Sequence, residues 1–364
     1  GILVASDKWK GSLTSAEVGA LVAAGLHRTL PGVPVTVSPV ADGGDGSVAA
    51  ALAAGFGQRT IRVEDPYSRA FDHVTAWRGA EVVVEVAHLS RKDLPLDPLG
   101  RSSHALGSAI RTVIGMGAER VVVALGGSLS TDGGAGLLEA LGARLLGDDG
   151  APVRASGGTL ARLASVDLTP LERWTGVEIV AACDIEDVLL GERGSARLYG
   201  PQKGASPEQV ELLEAGLAHW RRLTQAAGGP DLAATPGSGA SGGNGYGLLL
   251  LGARAVSGAE LFLDLIGFDG ALEGISAVVT GEGRLDTQSL AGKLPTVVAR
   301  RSAPRQVAAI VGSSALSAAE AAGAGIAEVL TLASIADPAR AMSDPEYTAR
   351  AIERLDADLG RRLR

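Results

Sequence analysis

Residues 2–17 read Ile2-Leu-Val-Ala5-Ser6-Asp7-Lys8-Trp9-Lys10-Gly11-Ser12-Leu13-Thr14-Ser-Ala-Glu17. Four apolar residues without polar alternation lead into a short polar loop. Thr14 and Glu17 then form a capping box, and Val18, Leu21, Val22 and Leu26 follow on one helical face. A strand lacks alternation when both of its faces are covered, so the stretch predicts a buried strand, a loop and a helix. The same unit recurs outward along the chain. Strands are expected at 2–5, 35–37, 81–86, 120–125, 178–182, 277–280, 307–311 and 329–332. Ser206-Pro207 and Asp344-Pro345 each place a capping side chain before a proline suited to the first helical position. Alternating strands and helices predict an α/β protein with largely parallel sheet.

At roughly 100–200 residues per domain, 364 residues favour two domains. Clear β-α alternation marks both chain ends, whereas the middle carries long glycine-rich loops such as 228–247. We therefore expect one domain built from 1–64 and 266–364, with a second domain, 65–265, inserted. Two consecutive domains are the alternative. The echo between Asp42-Gly-Gly-Asp45-Gly46 and Asp132-Gly-Gly-Ala-Gly136 reads as two similar turns rather than a duplication.

Composition removes several function classes. Lys and Arg number 33 against 41 Asp and Glu, a net charge of −8 with the two signs interspersed, which argues against nucleic acid as partner. Aromatic residues make up 3%, too few for a base-stacking platform. The single cysteine, Cys183, allows no internal disulfide and no zinc ribbon. No apolar run approaches ~18 residues, so no membrane partner and a soluble cytoplasmic protein are expected, as a monomer or homodimer. Glycine, at 51 residues, points to many tight turns and close backbone approaches.

Three motifs fail on context. Gly237–Gly242 matches G-x-G-x-x-G, but 231–236 does not read as the strand a dinucleotide site needs. Gly239-Ala-Ser241-Gly-Gly243 matches a serine-hydrolase elbow, yet the last histidine, His219, lies upstream of the serine. A Walker-type loop is absent, because Thr287 stands where its first glycine must be.

What survives is five glycine-rich loops carrying carboxylates, hydroxyls and lysines at strand ends. They hold Asp7 to Ser12, Asp42 to Ser47, Gly126-Gly127-Ser128 through Asp132-Gly133, Cys183-Asp184-Ile-Glu186, and Gly281-Glu282-Gly-Arg284-Leu-Asp286. In a parallel sheet the carboxyl ends of strands line the ligand crevice. Glycine lets backbone N–H groups approach phosphates, carboxylates hold magnesium or accept a hydroxyl proton, and lysines balance charge, so the mixture suits phosphoryl transfer. Each Asp-Gly also has a bland reading as a turn former. The functional reading rests on the number of concordant loops.

These segments resemble the type-1 glycerate kinase family. The matching pieces are Asp7 to Leu13, Pro39 to Ser47, Gly126 to Gly136, Cys183-Asp184 through Gly200-Pro-Gln-Lys203-Gly204, Gly239 to Gly243, and Thr280 to Asp286 through Gly292-Lys293-Leu-Pro295. They occur in the family's order and span nearly the whole chain. The resemblance implies an ATP- and Mg2+-dependent kinase that phosphorylates D-glycerate at its 2-hydroxyl. It further implies a flavodoxin-like domain made from both chain ends, an inserted second domain and a cleft between them. Three departures stand out: Thr131-Asp132-Gly-Gly replaces the family's Asn-Asp-Gly-Gly, Glu186-Asp187-Val188 replaces Asp-Asn-Pro, and His104-Ala-Leu-Gly107 replaces Tyr-Gly-Thr-Gly.

Roles follow as expectations. Glycerate carries a carboxylate, and Arg69 is the first candidate to pair with it, Arg91 the second. Ser102, Ser103 and Lys293 complete the expected substrate contacts. Gly126, Gly127, Ser128, Thr131, Asp132, Gly133, Gly281 and Glu282 are expected at the nucleotide. Asp184 is the expected base, Lys10 a catalytic cation, and Asp42 and Asp286 the metal carboxylates, Asp286 also counted as catalytic. Base and metal roles remain exchangeable. The alternatives are a kinase for another hydroxy acid or polyol, and a non-catalytic metabolite sensor.

Overall fold

The computed structural model describes residues 1–9, 11–183, 186–287, 289–341 and 343–363. They form two compact units, one comprising Gly1–Asp42, Ala49–Gly55 and Ala259–Arg364, the other Gly43–Val48 and Phe56–Gly258.

In the first unit five parallel strands line up as Val35–Val37, Ile2–Ser6, Ala277–Leu285, Gln306–Ser314 and Glu328–Thr331. Counted along the unit this is the order 2-1-3-4-5 of flavodoxin-like sheets. Its strands are continuously apolar because alternate residues enter different cores. Ile2, Val4, Val279 and Ile310 face Val18, Val22 and Leu26 of the helix Ser15–Thr29 and Ile352 and Leu359 of the helix Pro345–Arg362. Leu3, Ala5, Val278 and Val311 face Leu263 and, from the helix Leu294–Ser302, Val297 and Val298. The helix Ser15–Thr29 begins at the expected Thr14–Glu17 capping box.

The second unit holds a six-stranded mixed sheet ordered Arg254–Ser257, Glu178–Cys183, Arg120–Ala124, Glu81–Glu85, Ala70–Arg78 and Gly57–Glu64. The first four strands are parallel, and the last two form an antiparallel hairpin closed by residues 65–69. That hairpin escapes the sequence reading because Gly57–Glu64 is an edge strand, mostly exposed, whose charged residues hide its period. It also moves the expected boundary. Gly57–Glu64 pairs with Ala70–Arg78 and so joins the second unit, shifting the division from 64/65 to 55/56. At the other end the division falls at 258/259 rather than 265/266, because Ala259 and Leu263 pack into the first unit's core. No helix among the described residues is long and apolar enough to cross a membrane.

Candidate active site

In the first unit, Ile2–Ser6 and Ala277–Leu285 lie side by side where the strand order reverses, the place where open α/β sheets bind ligands. Ser6 pairs with Gly281, and the Asp7 N–H donates to the Gly281 carbonyl at 2.9 Å. Gly281 is there for packing: a Cβ would sit 2.1 Å from the Ile310 carbonyl oxygen. Ser15 donates to the Ser6 carbonyl and accepts from the Val40 N–H, tying the ends of two strands together. Asp7, Asp42 and Glu282 thereby come close enough to repel one another, with Asp286 beside Glu282.

The electrostatics of this edge are those of crowded carboxylates. Burial, then the charge of Asp42, pushes Asp7 up to about 7 against the pull of Lys8. Burial likewise pushes Glu282 up to about 7, although the Ser289 hydroxyl donates to it at 2.7 Å and Lys293 opposes the rise. The Lys8 ammonium lies 3.3 Å from Asp42 and 3.5 Å from Asp7, so its neighbours are carboxylates. It stands six residues ahead of the Thr14 cap, outside the first turn of the helix Ser15–Thr29. Lys293 is the N-cap residue of Leu294–Ser302, and Asp286 lies 3.4 Å from Arg284.

The second unit contains a cavity of about 350 Å³. Arg69, Arg91 and Arg101 line it together with Ser102, Ser103, Ser130 and Asn244, and Phe71, Leu89 and Leu106 supply apolar wall. Arg69 comes from the hairpin loop, where its Nε donates to Asp65 at 2.6 Å. Burial works against the Asp65 charge, but N–H groups of Arg69 and Tyr67 and the Arg69 side chain hold its carboxyl below the usual range. Arg91 makes a two-point contact with Asp93. Arg101 donates to four backbone carbonyls, those of Ser90, Arg91, Leu94 and Pro95, and so shapes the wall rather than reaching into it. Asn244 is buried, its amide donates to Ser241, and its Oδ1 has no hydrogen-bond partner among the described residues.

The loop after Arg120–Ala124 divides into an accessible start and a buried end. Gly126 is half-buried and donates to the Gly43 carbonyl at 3.1 Å. A Cβ there would lie 2.5 Å from Gly44 Cα, so only glycine lets the two loops meet. Gly127 is exposed, whereas Ser128 is buried with its hydroxyl 3.1 Å from that of Ser130. Thr131, Asp132 and Gly133, expected at the nucleotide, are all buried. Asp132 accepts from the Ser103 N–H at 2.7 Å, the Ser103 hydroxyl at 2.8 Å and the N–H groups of Gly134 and Gly136 at 3.2 Å. The N-terminus of Ala135–Ala140 thus already has its anion, the chain's own carboxylate. Burial raises the Asp132 carboxyl, and those hydrogen bonds pull it back.

Lys203 packs behind the same loop, buried, with its ammonium donating to the Ser130 carbonyl at 2.6 Å. Burial pushes it down to about 8, with Asp132 opposing. Between pH 8 and the unfolded value of 10.5, the unfolded chain holds a proton that the folded chain has released. Stability therefore rises with pH across that window, by on the order of 3 kcal/mol from this group. Lys203→Met removes that rise. Denaturant unfolding of both proteins at pH 7.5 and 10.5 reads it as a difference in slope, and parallel pH dependences contradict the assignment.

A model of the glycerate kinase family matches residues 2–363. The chain belongs to the glycerate kinase family. It is 35% identical over 312 residues to a glycerate kinase of Halalkalibacterium halodurans, covering 82% of this chain and 81% of the relative. It is 35% identical over 309 residues to the glycerate 2-kinase of Escherichia coli K12, with the same coverage. A crystal structure described as glycerate kinase 2 from Salmonella typhimurium LT2 superposes with a TM-score of 0.81 at 30% identity, covering 100% of this chain and 97% of that one. Membership of this kinase family makes the chain a phosphotransferase.

Within this glycerate kinase family member the expected residues fall into separate groups. Asp42, Gly281, Glu282, Asp286 and Lys293 belong to the acidic edge of the first unit. Arg69, Ser102 and Ser103 meet in the cavity of the second, and Arg91 joins them. Lys10 and Asp184 lie outside the described residues. The sequence reading passed over Asp7 as an acid, Arg101 and Asn244. Asp7 had a signal, its place directly after the first strand; Arg101 and Asn244 had none, because folding alone gives them their neighbours.

Proposed function

We propose that the chain transfers the γ-phosphoryl group of ATP to the 2-hydroxyl of D-glycerate, with Mg2+ as cofactor. The observation that carries the reading is the cavity of the second unit, small, walled by arginine and serine, with an orphaned amide oxygen. Glycerate offers one carboxylate and two hydroxyls. Arg69 pairs with the carboxylate, since its Nη groups make no hydrogen bond to the described residues. Asn244 Oδ1 accepts from a substrate hydroxyl, and Ser102 adds a hydroxyl beside it. Ser103 is a positioning residue, because its own hydroxyl donates to Asp132 and accepts from the Leu137 N–H.

Asp184 follows the last residue of the strand Glu178–Cys183, and we assign it the proton of the attacking hydroxyl. The hydroxyl oxygen forms the new bond to phosphorus, the bond from phosphorus to the bridging β–γ oxygen breaks, and the proton goes to the carboxylate. Gly126 and Gly127 remain accessible to phosphate oxygens. At the other unit's edge, the donor set of Asp7, Asp42, Glu282 and Asp286 fits a hard cation: all ligands are oxygen, and burial, then repulsion among them, raises Asp7 and Glu282. Asp42 and Asp286 would hold it, and when bound magnesium neutralises phosphate charge. Lys293 balances what remains.

The test is coupled ADP release with D-glycerate, L-glycerate, other hydroxy acids and polyols, with and without Mg2+, followed by identification of the product. Magnesium-dependent release with D-glycerate, yielding 2-phosphoglycerate, is expected. Release with a different acceptor alone, or binding without release, moves the chain to another kinase or to a sensor. Within the same assay Arg69→Met raises KM for glycerate by roughly 10–100-fold, the worth of a charge-assisted hydrogen bond, with a smaller change in kcat. An unchanged KM removes Arg69 from the carboxylate.

A further inference from the structure

One cluster in the second unit is used by none of this. Glu85 ends the strand Glu81–Glu85, His88 lies one turn on in the short helix Val86–Leu89, and Asp45 sits in the segment 43–48, just ahead of the helix Ser47–Ala53. One ligand atom from each residue lies within 4.8 Å of the other two. We propose that Asp45, Glu85 and His88 bind a single first-row divalent cation of borderline softness, with Zn2+ the best match.

Each side chain turns one ligand atom toward the other two. Glu85 is fully buried; its Oε2 accepts from the Val48 N–H at 3.0 Å, and its Oε1 has no hydrogen-bond partner among the described residues. That orphaned oxygen is 3.5 Å from His88 Nε2. Asp45 Oδ2 accepts from the Lys92 ammonium at 2.9 Å, and Asp45 Oδ1 lies 3.8 Å from His88 Nε2. Ligands bound at ~2.1 Å in a tetrahedron stand roughly 3.4 Å apart, so little movement is needed. His88 is about half exposed, which leaves the fourth position open to water.

Behind it lies a second unsatisfied group. His73 is buried, packs edge-on to His88 with ring centroids 6.4 Å apart, and has neither ring nitrogen hydrogen-bonded to the described residues. A buried carboxylate oxygen without a donor is costly, and a cation removes the cost. The imidazole decides which cation. Magnesium and calcium take oxygen ligands, whereas nitrogen with two carboxylates suits Zn2+, Co2+ or Mn2+. Bound metal would pin the segment 43–48 to the end of the strand Glu81–Glu85.

The test uses tag-free, chelator-stripped full-length protein in excess Mg2+, which occupies all-oxygen sites. Calorimetric titration with Zn2+ should show one equivalent, and Co2+ should give the visible absorption of a nitrogen-containing tetrahedral site. His88→Gln, at a partly exposed position that leaves folding intact, should weaken Zn2+ by more than ~100-fold, since changes to residues merely supporting a ligand already cost 10–100-fold. Asp45→Asn should weaken it as well. No saturable Zn2+ binding above magnesium, or unchanged affinity in His88→Gln, overturns the proposal.

Discussion

Asp132→Ala destabilises the protein by about 3–5 kcal/mol, since each buried donor left without its acceptor costs about 1–3 kcal/mol. The carboxylate is fully buried and accepts from three backbone N–H groups and from the hydroxyls of Ser103 and, at 3.5 Å, Ser102. Deleting it leaves the N–H groups of Ser103, Gly134 and Gly136 without their acceptor in a place closed to water. It also takes away the negative charge that supports the buried Lys203 ammonium. Because Ser103 and Ser102 enter the cavity wall beside this anchor, activity falls with stability. Asp132→Asn keeps one acceptor oxygen and loses less. Equilibrium unfolding of the three proteins measures the series, and a loss below about 1 kcal/mol for alanine means the donors find other partners.

A second large effect is kinetic. Asp184→Asn lowers kcat by on the order of 10²–10⁴, the usual contribution of a positioned general base, while KM for D-glycerate changes little. The amide keeps the shape of the side chain and removes its capacity to take a proton. Steady-state ADP release separates the two constants. Near-normal turnover in the variant takes Asp184 out of this role and turns attention to Asp7 or Glu282, both raised to about 7 and therefore able to hold a proton near neutrality.

The legible part of the fold was the part governed by period and caps. Both-face burial makes the strands Ile2–Ser6 and Arg120–Ala124 continuous apolar runs, and the Thr14–Glu17 box announces its helix. Gly57–Glu64 was illegible because this exposed edge strand carries polar or charged residues at most of its positions. Within the site, a carboxylate before glycine is ambiguous in sequence. Asp42 stays exposed beside Lys8, whereas Asp132 turns inward and caps its own helix. What separates them is the donor set that folding assembles, Ser103 from 29 residues away for Asp132. Arg69 and Ser102 were readable as types and became a pair of cavity walls only through the hairpin at 65–69.

The central claim is that the cavity of the second unit receives the acceptor. A crystal structure of the full-length protein soaked with D-glycerate tests it most directly. The glycerate carboxylate is expected within hydrogen-bonding distance of Arg69, with a hydroxyl on Asn244 Oδ1. Glycerate bound elsewhere, with that cavity holding only water, contradicts it.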